Sequence, residues 1–240
     1  MAKASGYREQ RNAPTTGETY GSNTPYVDSD ERMRLVVGAS QSKEYQALLE
    51  SWKDCQACPL SATRSSVVFA SGKIPADVLF LGEASNAHDD YLGFPGSGPS
   101  GRFLLSIIEE LRKSRNGWDY AISYPLGCVP WQRPEEGEEP RGYRQPEPLE
   151  LEKCNPRFLK LLELINPNGI VLMGSLSESY WSTYGTKLQQ TIGKRYKIVA
   201  IRSMTDLMRG GGARESNVHY RNTLSGLKQF LFHTLDVGKG

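Results

Sequence analysis

Residues 78–90 read VLFLGEASNAHDD, and this stretch carries the strongest structural signal in the chain. Its first four residues are apolar, and the residues after them are small, polar and acidic. A short apolar run of this kind is typical of a strand buried in a sheet. In open α/β folds, polar side chains that follow such a strand lie at the carboxyl edge of the sheet, where these folds build their sites. The stretch therefore predicts an α/β enzyme with a site that begins at Glu83.

Strands and helices alternate on both sides of this stretch. The predicted strands are 77–81, 119–123, 169–173 and 197–201, and the predicted helices are 45–52, one capped by Ser100, 151–165, one from Ser175, and 222–235. Such alternation is typical of a parallel sheet covered on both faces. We predict a three-layer α/β/α fold with a central, mostly parallel four-stranded sheet.

The composition fits one folded domain preceded by a tail. The chain has 240 residues, of which 38% are hydrophobic, and this is enough for a substantial core. Residues 1–40 are rich in Gly, Ser, Thr, Asn, Pro and charge, so burial cannot offset the entropy of ordering them. We predict a flexible tail at 1–40 and a domain at 41–240, with an exposed loop at 130–148.

Charge and hydropathy narrow the possible partners. No run approaches the roughly 18 apolar residues of a membrane span, and the start lacks an apolar signal core, so a cytoplasmic protein without a membrane partner is expected. The formal net charge is +2, yet residues 187–221 hold eight basic residues against two acids. Local cation density of this kind suits a polyanionic ligand, and a plain solvated surface is the alternative.

The four cysteines of the chain follow a pattern typical of a metal site. Cys55 and Cys58 form a Cys-x-x-Cys step, and the other two are Cys128 and Cys154. Without a secretion signal, these thiols are expected to share a metal instead of forming disulfides. The occupant is an iron–sulfur cluster or a zinc ion, since both accept four thiolates.

The order of the motifs resembles the uracil-DNA glycosylase superfamily, most closely its iron–sulfur branch, often called family four. That branch combines Cys-x-x-Cys, Gly-Glu-Ala-Pro-Gly with acidic residues behind it, Gly-x-Pro-Phe-x-Gly-x-x-Gly, two further cysteines and a late His-Pro-x-x-Leu-Leu-Arg. From about residue 50 onward the chain matches in order, with Cys55, Cys58, Gly82, Glu83, Ala84, Asp89, Asp90, Gly93, Pro95, Gly98, Gly101, Cys128, Cys154 and residues 203–209. The resemblance implies a uracil-DNA glycosylase-like fold, a 4Fe-4S cluster on the four cysteines with zinc as the alternative, and a monomer that acts on DNA.

Positions that define uracil as the substrate of that family differ in this chain. The phenylalanine that stacks on the base is Gly96, the asparagine that reads the pyrimidine edge is Tyr124, and the late histidine is Ser203. The proline and glycine after Gly-Glu-Ala are Ser85 and Asn86. The resemblance thus implies a base pocket at Ser85, Gly96, Tyr124 and Ser203 that is altered from ordinary uracil recognition.

Glycosidic cleavage in DNA requires a flipped nucleotide and groups that stabilise a sugar cation. Carboxylates beside the sugar can stabilise this charge and activate water. The resemblance therefore suggests a catalytic set of Glu83, Asn86, His88, Asp89 and Asp90, with Glu83 as its main member. A helix-capping carboxylate at Glu83 and a structural imidazole at His88 are the alternatives.

The segment that begins at Leu207 is similar to the superfamily's loop that wedges apolar side chains into the duplex. It reads LMRGGG over residues 207–212. Leu207 and Met208 are the predicted wedge, and Arg202, Arg209 and Arg214 are the predicted phosphate contacts. A glycine loop without a role in DNA binding is the alternative.

The altered pocket predicts an altered substrate. A glycine in place of a ring leaves room for a base with a large substituent, unless Tyr124 fills the gap. Hydroxyl and amide groups in the pocket suit a sugar. The sequence therefore predicts a DNA glycosylase that excises a bulky modified pyrimidine, such as glucosylated hydroxymethylcytosine of phage DNA, in antiviral defence. A glycosylase for uracil or another deaminated base, an inactive DNA-binding relative and a metal-stabilised protein-interaction module are the alternatives.

Overall fold

The computed structural model of the protein describes residues 42–132, 142–209 and 217–235. The strands are β1 (Ala70–Gly72), β2 (Val78–Leu81), β3 (Tyr120–Ser123), β4 (Gly169–Met173) and β5 (Lys197–Ile201). The helices are α1 (Lys43–Trp52), α2 (Ala87–Leu92), α3 (Pro99–Ser114), α4 (Pro148–Ile165), α5 (Ser175–Ile192), α6 (Met204–Arg209) and α7 (Val218–Leu235), with a 3-10 turn at Pro59–Ala62. The predicted tail at 1–40 and the middle of the predicted loop at 130–148 lie outside the described residues.

The strands form one sheet in the order β1–β3–β2–β4–β5. Strands β2 to β5 run parallel, which confirms the four predicted strands and their direction. A fifth strand, β1, pairs antiparallel with β3 at the edge, so the predicted number of strands was one too low. This strand consists of Ala, Ser and Gly, and therefore lacks the β-branched and aromatic residues that mark a strand in a sequence.

Helices cover both faces of the sheet, as the three-layer prediction requires. Successive side chains of a strand point to opposite faces, so Leu79 and Leu81 join one core with α1, α4 and α5. Val78 and Phe80 join a second core with α3 and α7. All four side chains are fully buried. Burial on both faces explains why β2 is continuously apolar instead of alternating.

Helices α3, α4 and α7 begin earlier than the sequence predicts. The N-cap residue of α3 is Gly98, and the predicted cap, Ser100, lies in the first turn behind Pro99. Proline fits this position because the first N–H groups of a helix have no intrahelical partner. For the same reason α4 starts at Pro148.

Among the described residues, no helix is both long enough and apolar enough to cross a membrane.

Candidate active site

A cavity opens at the carboxyl edge of the sheet, where β2, β3 and β4 end. Its volume is about 90 Å³, and the space reaches about 480 Å³ when the region open to solvent is included. The lining residues are Gly82, Glu83, Ala84, Asn86, Gly96, Ser100, Gly101, Leu104, Ile122, Tyr124, Met173, Ser203, Met204 and Thr205. Parallel strands bring their carboxyl ends to one edge, and the residues that follow β2, β3 and β5 meet there for that reason.

Glu83 caps a helix and also lines the cavity. Its Oε1 accepts a hydrogen bond from the backbone N–H of Leu176 at 3.1 Å. Leu176 lies in the first turn of α5, whose N-cap residue, Gly174, has no capping side chain. The carboxylate thus stabilises the amino end of α5, where the helix dipole is positive. Its second oxygen, Oε2, accepts no hydrogen bond from the described residues, and Glu83 lines the cavity.

Asn86 is the N-cap residue of α2, a short helix that was not predicted from the sequence. Its Oδ1 accepts hydrogen bonds from the N–H groups of His88 at 2.9 Å and Asp89 at 3.2 Å. Its Nδ2 donates to Asp89 Oδ2 at 2.9 Å. This capping box fixes the amide, and leaves one of its two N–H bonds without a partner among the described residues.

Asp89 is the centre of a buried hydrogen-bond network beneath the cavity. Its Oδ1 accepts from Ser97 N at 2.9 Å and from Ser97 Oγ at 2.7 Å. Its Oδ2 accepts from the Tyr124 hydroxyl at 2.9 Å and from Nδ2 and N of Asn86 at 2.9 and 3.3 Å. The side chain is fully buried and does not line the cavity. With both oxygens occupied by donors, the carboxylate is placed to position its neighbours rather than to activate water.

The environment of this network sets the protonation of its members. Burial raises the pKa of the Asp89 carboxyl above its ordinary value, while hydrogen bonds from Ser97, Tyr124 and Asn86 act in the opposite direction. Burial, followed by the nearby charge of Asp89, raises the pKa of Tyr124 well above its ordinary value. The tyrosine hydroxyl therefore stays protonated and acts as a donor.

His88 and Asp90 lie on α2 but do not line the cavity. Asp90 is buried and accepts hydrogen bonds from the N–H groups of Ser65 at 2.8 Å and Ser66 at 3.1 Å. This carboxylate therefore holds the loop that precedes β1. Neither side chain is thus among the groups that surround the cavity, and a direct catalytic role for either stays a prediction.

Gly96 and Tyr124 define one wall of the cavity together. Gly96 has φ of 79°, a left-handed conformation that favours glycine, and its N–H donates to the Tyr124 hydroxyl at 3.3 Å. The Tyr124 ring packs against Gly82, where an added Cβ would come within 2.6 Å of it. Tyr124 therefore occupies part of the space beside Gly96, and a cavity lined by both residues remains.

The other two predicted pocket residues differ in position. Ser203 lines the cavity, but its hydroxyl donates to Asp206 Oδ2 at 2.8 Å and accepts from Asp206 N at 3.1 Å. It therefore stabilises the start of α6 and has no proton left for a substrate. Ser85 is buried outside the lining, and its hydroxyl has no partner among the described residues.

The predicted DNA-contact residues fall into an exposed and a buried group. Arg202 and Arg209 are exposed at the two ends of a segment whose residues 203–205 line the cavity. Leu207 is only 2% exposed and belongs to the core with α3 and α7, and Met208 packs against this core. In this conformation Leu207 is a core residue, which does not fit the predicted wedge. Arg214 and residues 210–212 lie outside the described residues.

The four cysteines come from distant parts of the chain and line one small cavity. Cys55 and Cys58 lie after α1, Cys128 lies after β3, and Cys154 lies on α4. Burial raises the pKa of the Cys128 thiol to about 12. Within the three described ranges, no group of three or more His, Cys, Asp or Glu side chains is arranged to hold a single metal ion. The thiols thus share a cavity without closing around one ion.

Comparisons with known proteins agree with this geometry. A family model described as the uracil DNA glycosylase superfamily matches residues 69–228. The chain belongs to the uracil DNA glycosylase superfamily.

Similar members of the superfamily carry the name Type-4 uracil-DNA glycosylase. The protein from Archaeoglobus fulgidus is 28% identical over 148 residues, which cover 60% of this chain and 68% of that one. The protein from Saccharolobus solfataricus is 31% identical over 143 residues, which cover 59% of this chain and 61% of that one. The protein from Thermotoga maritima is 30% identical over 132 residues, with 55% and 62% covered. The matched region thus spans between about three fifths and two thirds of each relative.

Several residues that line the cavity of this superfamily member were not predicted from the sequence. Ile122 and Met173 lie in β3 and β4, where they read as ordinary core residues. Ser100 resembles a helix cap, and Thr205 occupies an unspecified position of the late motif that residues 203–209 match. The signal that could have found Thr205 is its position after the last parallel strand, since the polar residues beyond such strands share one edge.

Proposed function

We propose that this protein is a DNA glycosylase that excises a bulky modified pyrimidine, for example glucosylated hydroxymethylcytosine of phage DNA, and leaves an abasic site. The observation that carries the proposal is the cavity at the sheet edge, which combines the open oxygen of Glu83 with the missing side chain of Gly96. Membership of the uracil DNA glycosylase superfamily supports the reaction class. The names of the relatives support DNA as the substrate.

Glu83 supplies the carboxylate that the chemistry needs. Cleavage of the N-glycosidic bond leaves positive charge on the sugar, and a carboxylate held at the cavity wall stabilises that charge. The bond from Leu176 N keeps Oε1 in place, so that Oε2 can face the sugar or a water molecule. Asn86, with one free N–H, is placed to hydrogen-bond the base or that water. Asp89 and Tyr124 hold Asn86 and Gly96 in position.

The shape of the cavity supports a base with a substituent that extends outward. A cavity of about 90 Å³ has room for about six to nine water molecules, so it accommodates little more than a planar ring. Because the cavity is open to solvent, a sugar attached to that ring would lie at its mouth. The hydroxyl of Thr205 lies among the groups that could meet it. An abasic site blocks replication, which suggests defence against phages with modified DNA.

The exposed arginines beside the cavity support binding to a DNA backbone. Arg202 and Arg209 bracket the cavity-lining residues of the segment 202–209. Guanidinium groups bind phosphate oxygens in a forked geometry and position a duplex without reading its sequence. We propose that they hold the strand on each side of the flipped nucleotide.

The cysteine cavity supports an iron–sulfur cluster more than a zinc ion. Thiolates alone are the ligand set of 4Fe-4S clusters, and all four cysteines line the same small cavity. Zinc, which also accepts four thiolates, is the alternative, and the resemblance to the iron–sulfur branch of the superfamily favours the cluster. Such a cluster would join three separate parts of the fold. Iron and sulfide content and the visible absorption of the purified protein test this assignment, and bound zinc without iron would contradict it.

An activity panel tests the substrate. The protein is incubated with otherwise identical duplexes that carry cytosine, uracil, hydroxymethylcytosine or glucosylated hydroxymethylcytosine in either anomeric form, followed by alkaline cleavage of abasic sites. We expect cleavage of a glucosylated duplex. Glu83→Gln is the matched control: it removes the carboxylate charge, and its amide oxygen can still accept the hydrogen bond from Leu176 N.

Each other outcome of this panel has a defined meaning. Cleavage of the uracil duplex alone would contradict the bulky base and favour the uracil glycosylase, which the names of the relatives and the small enclosed volume make the second candidate. Tight binding without base release on every duplex would favour an inactive DNA-binding relative. Gly96→Ala adds a methyl group 3.4 Å from Ile122 at a backbone φ of 79° that disfavours alanine, so the informative quantity is the ratio of its excision rates on the two duplexes. A larger loss on the glucosylated duplex than on the uracil duplex supports the bulky base, and an equal loss on both contradicts it.

A further inference from the structure

Arg157 is a fully buried cation that has no carboxylate partner in the described part of the chain. It lies on α4 and is 0% exposed. Its guanidinium donates to the carbonyl oxygens of Val68 at 3.3 Å and of Tyr124 and Pro125 at 2.9 Å each. The buried carboxylate of the same helix, Glu150, is paired with Arg144. Burial of an unpaired charge costs roughly several kcal/mol, so this arginine requires a negative group nearby.

Besides these carbonyls and the ring of Phe69, which lies 5.6 Å from its Cζ, Arg157 contacts a sulfur atom that can provide this charge. Its Nε donates to Cys154 Sγ at 3.2 Å, and the N–H of Gly127 donates to the same sulfur at 3.3 Å. Two donors on one sulfur suit a thiolate, since a thiol is only a weak acceptor. A thiolate bound to an anionic metal cluster provides the charge that the guanidinium lacks. Gly127 is shaped for this contact, because an added Cβ would lie 2.8 Å from Arg157 Nε.

The same guanidinium reaches the wall of the base cavity. The carbonyl groups of Tyr124 and Pro125 belong to the turn after β3, and the Tyr124 side chain holds Asp89 and Gly96. Arg157 thus contacts both the sulfur site and the residue that shapes the cavity. One rigid, planar group with donors on three nitrogens can fix both at once, which a lysine ammonium cannot do.

We propose that Arg157 is a positioning residue that couples the cysteine site to the base cavity: the metal cluster supplies its counter-charge, and Arg157 in turn fixes Tyr124. Occupancy of the cysteine site then determines the shape of a cavity that no cysteine lines. The inference rests on the proposed cluster, and it does not depend on which base the protein excises.

Two measurements without a DNA substrate test this coupling in the full chain loaded with its cluster. The first is the reduction potential of the cluster. The second is amide hydrogen exchange in residues 93–104, which include Gly96 and Ser97 and contain no cysteine. In Arg157→Gln we expect a lower potential, because a cation and an N–H···S bond are lost. We also expect exchange in residues 93–104 to be about tenfold faster, since Tyr124 is released.

Removal of the cluster from the parent should accelerate exchange in residues 93–104 to a similar extent, and removal from Arg157→Gln should add little. Equal additional acceleration in both proteins would overturn the coupling, and so would an unchanged potential in Arg157→Gln. If Arg157→Gln does not fold, Arg157→Lys provides the same readouts: the charge remains and the cluster is retained, but exchange is still faster. Parent-like exchange in that variant would contradict the proposal.

Arg64 offers a matched control. It lines the same cysteine cavity, and its guanidinium donates to the carbonyl of Cys55, without a contact to Tyr124. Arg64→Gln should leave exchange in residues 93–104 at the parent rate, and acceleration there equal to that of Arg157→Gln would overturn the assignment to Arg157. A parent that binds no iron would refute the coupling, whereas an iron-loaded protein that excises no base would contradict only the proposed function.

Discussion

Replacement of Tyr124 by phenylalanine tests whether the buried network shapes the cavity. The change removes the hydroxyl that donates to Asp89 Oδ2 at 2.9 Å and accepts from Gly96 N at 3.3 Å. The ring itself, which packs against Gly82, stays. The substitution therefore isolates two hydrogen bonds without opening a large cavity.

The magnitude follows from the two partners. A hydrogen bond to a charged group contributes about 1.5–3 kcal/mol, and a buried N–H without a partner costs about 1–3 kcal/mol. Partial relaxation lowers the sum, so the free energy of unfolding should fall by about 3 kcal/mol. For a domain of this size the midpoint of thermal unfolding should drop by about 6–12 °C. Asp89 keeps four of its five donors, so the fold persists.

Tyr45 provides the control for this measurement. It is a buried tyrosine whose hydroxyl donates to Ala70 O at 3.0 Å and accepts from Ala70 N at 3.1 Å, and neither residue lines the cavity. Tyr45→Phe should lose less stability, because both partners are neutral backbone groups. Only Tyr124→Phe should also slow base excision. Equal stability losses, together with parent-like excision by Tyr124→Phe, would refute the proposed role of the network.

Further predictions concern the carboxylates and the cysteine site. Glu83→Gln keeps an acceptor for Leu176 N but loses the charge, so single-turnover excision should slow by about 100-fold or more, while denaturation shows a change below about 1 kcal/mol. Asp89→Asn turns an NH2 group toward donors and should lower the free energy of unfolding by about 3–5 kcal/mol. Burial raises the pKa of Asp89, so the folded state binds the carboxyl proton more tightly than the unfolded state does. The free energy of unfolding of the parent, relative to that of Asp89→Asn, should therefore fall as the pH rises above about 4. The opposite slope would mean that the hydrogen bonds to Asp89 outweigh its burial. Cys128→Ser should reduce the iron content and the denaturant midpoint together, and a full iron content would contradict its role as a ligand.

Much of the fold could be predicted because its signals are local. The apolar runs at 78–81 and 169–173 form strands close to their predicted bounds, since a strand buried on both faces must be apolar throughout. The strand at 197–201 also has its predicted bounds, although it lies at the edge of the sheet and is largely exposed. The order of cysteines and glycines in the sequence was sufficient to recognise the superfamily. Strand β1 could not be predicted, because three small residues form a strand only where β3 offers an edge.

The roles of the site residues depend on contacts between distant parts of the chain. The residue types in 82–90 predicted a polar site after β2, and the four cysteines predicted a metal site. The sequence could not show that Asp89 is surrounded by five donors, since Ser97 and Tyr124 reach it only in the folded chain. Nor could it show that Arg157 lies between the sulfur site and the cavity. Side-chain chemistry is a property of each residue, whereas hydrogen-bond partners and burial are determined by which segments the sheet brings together.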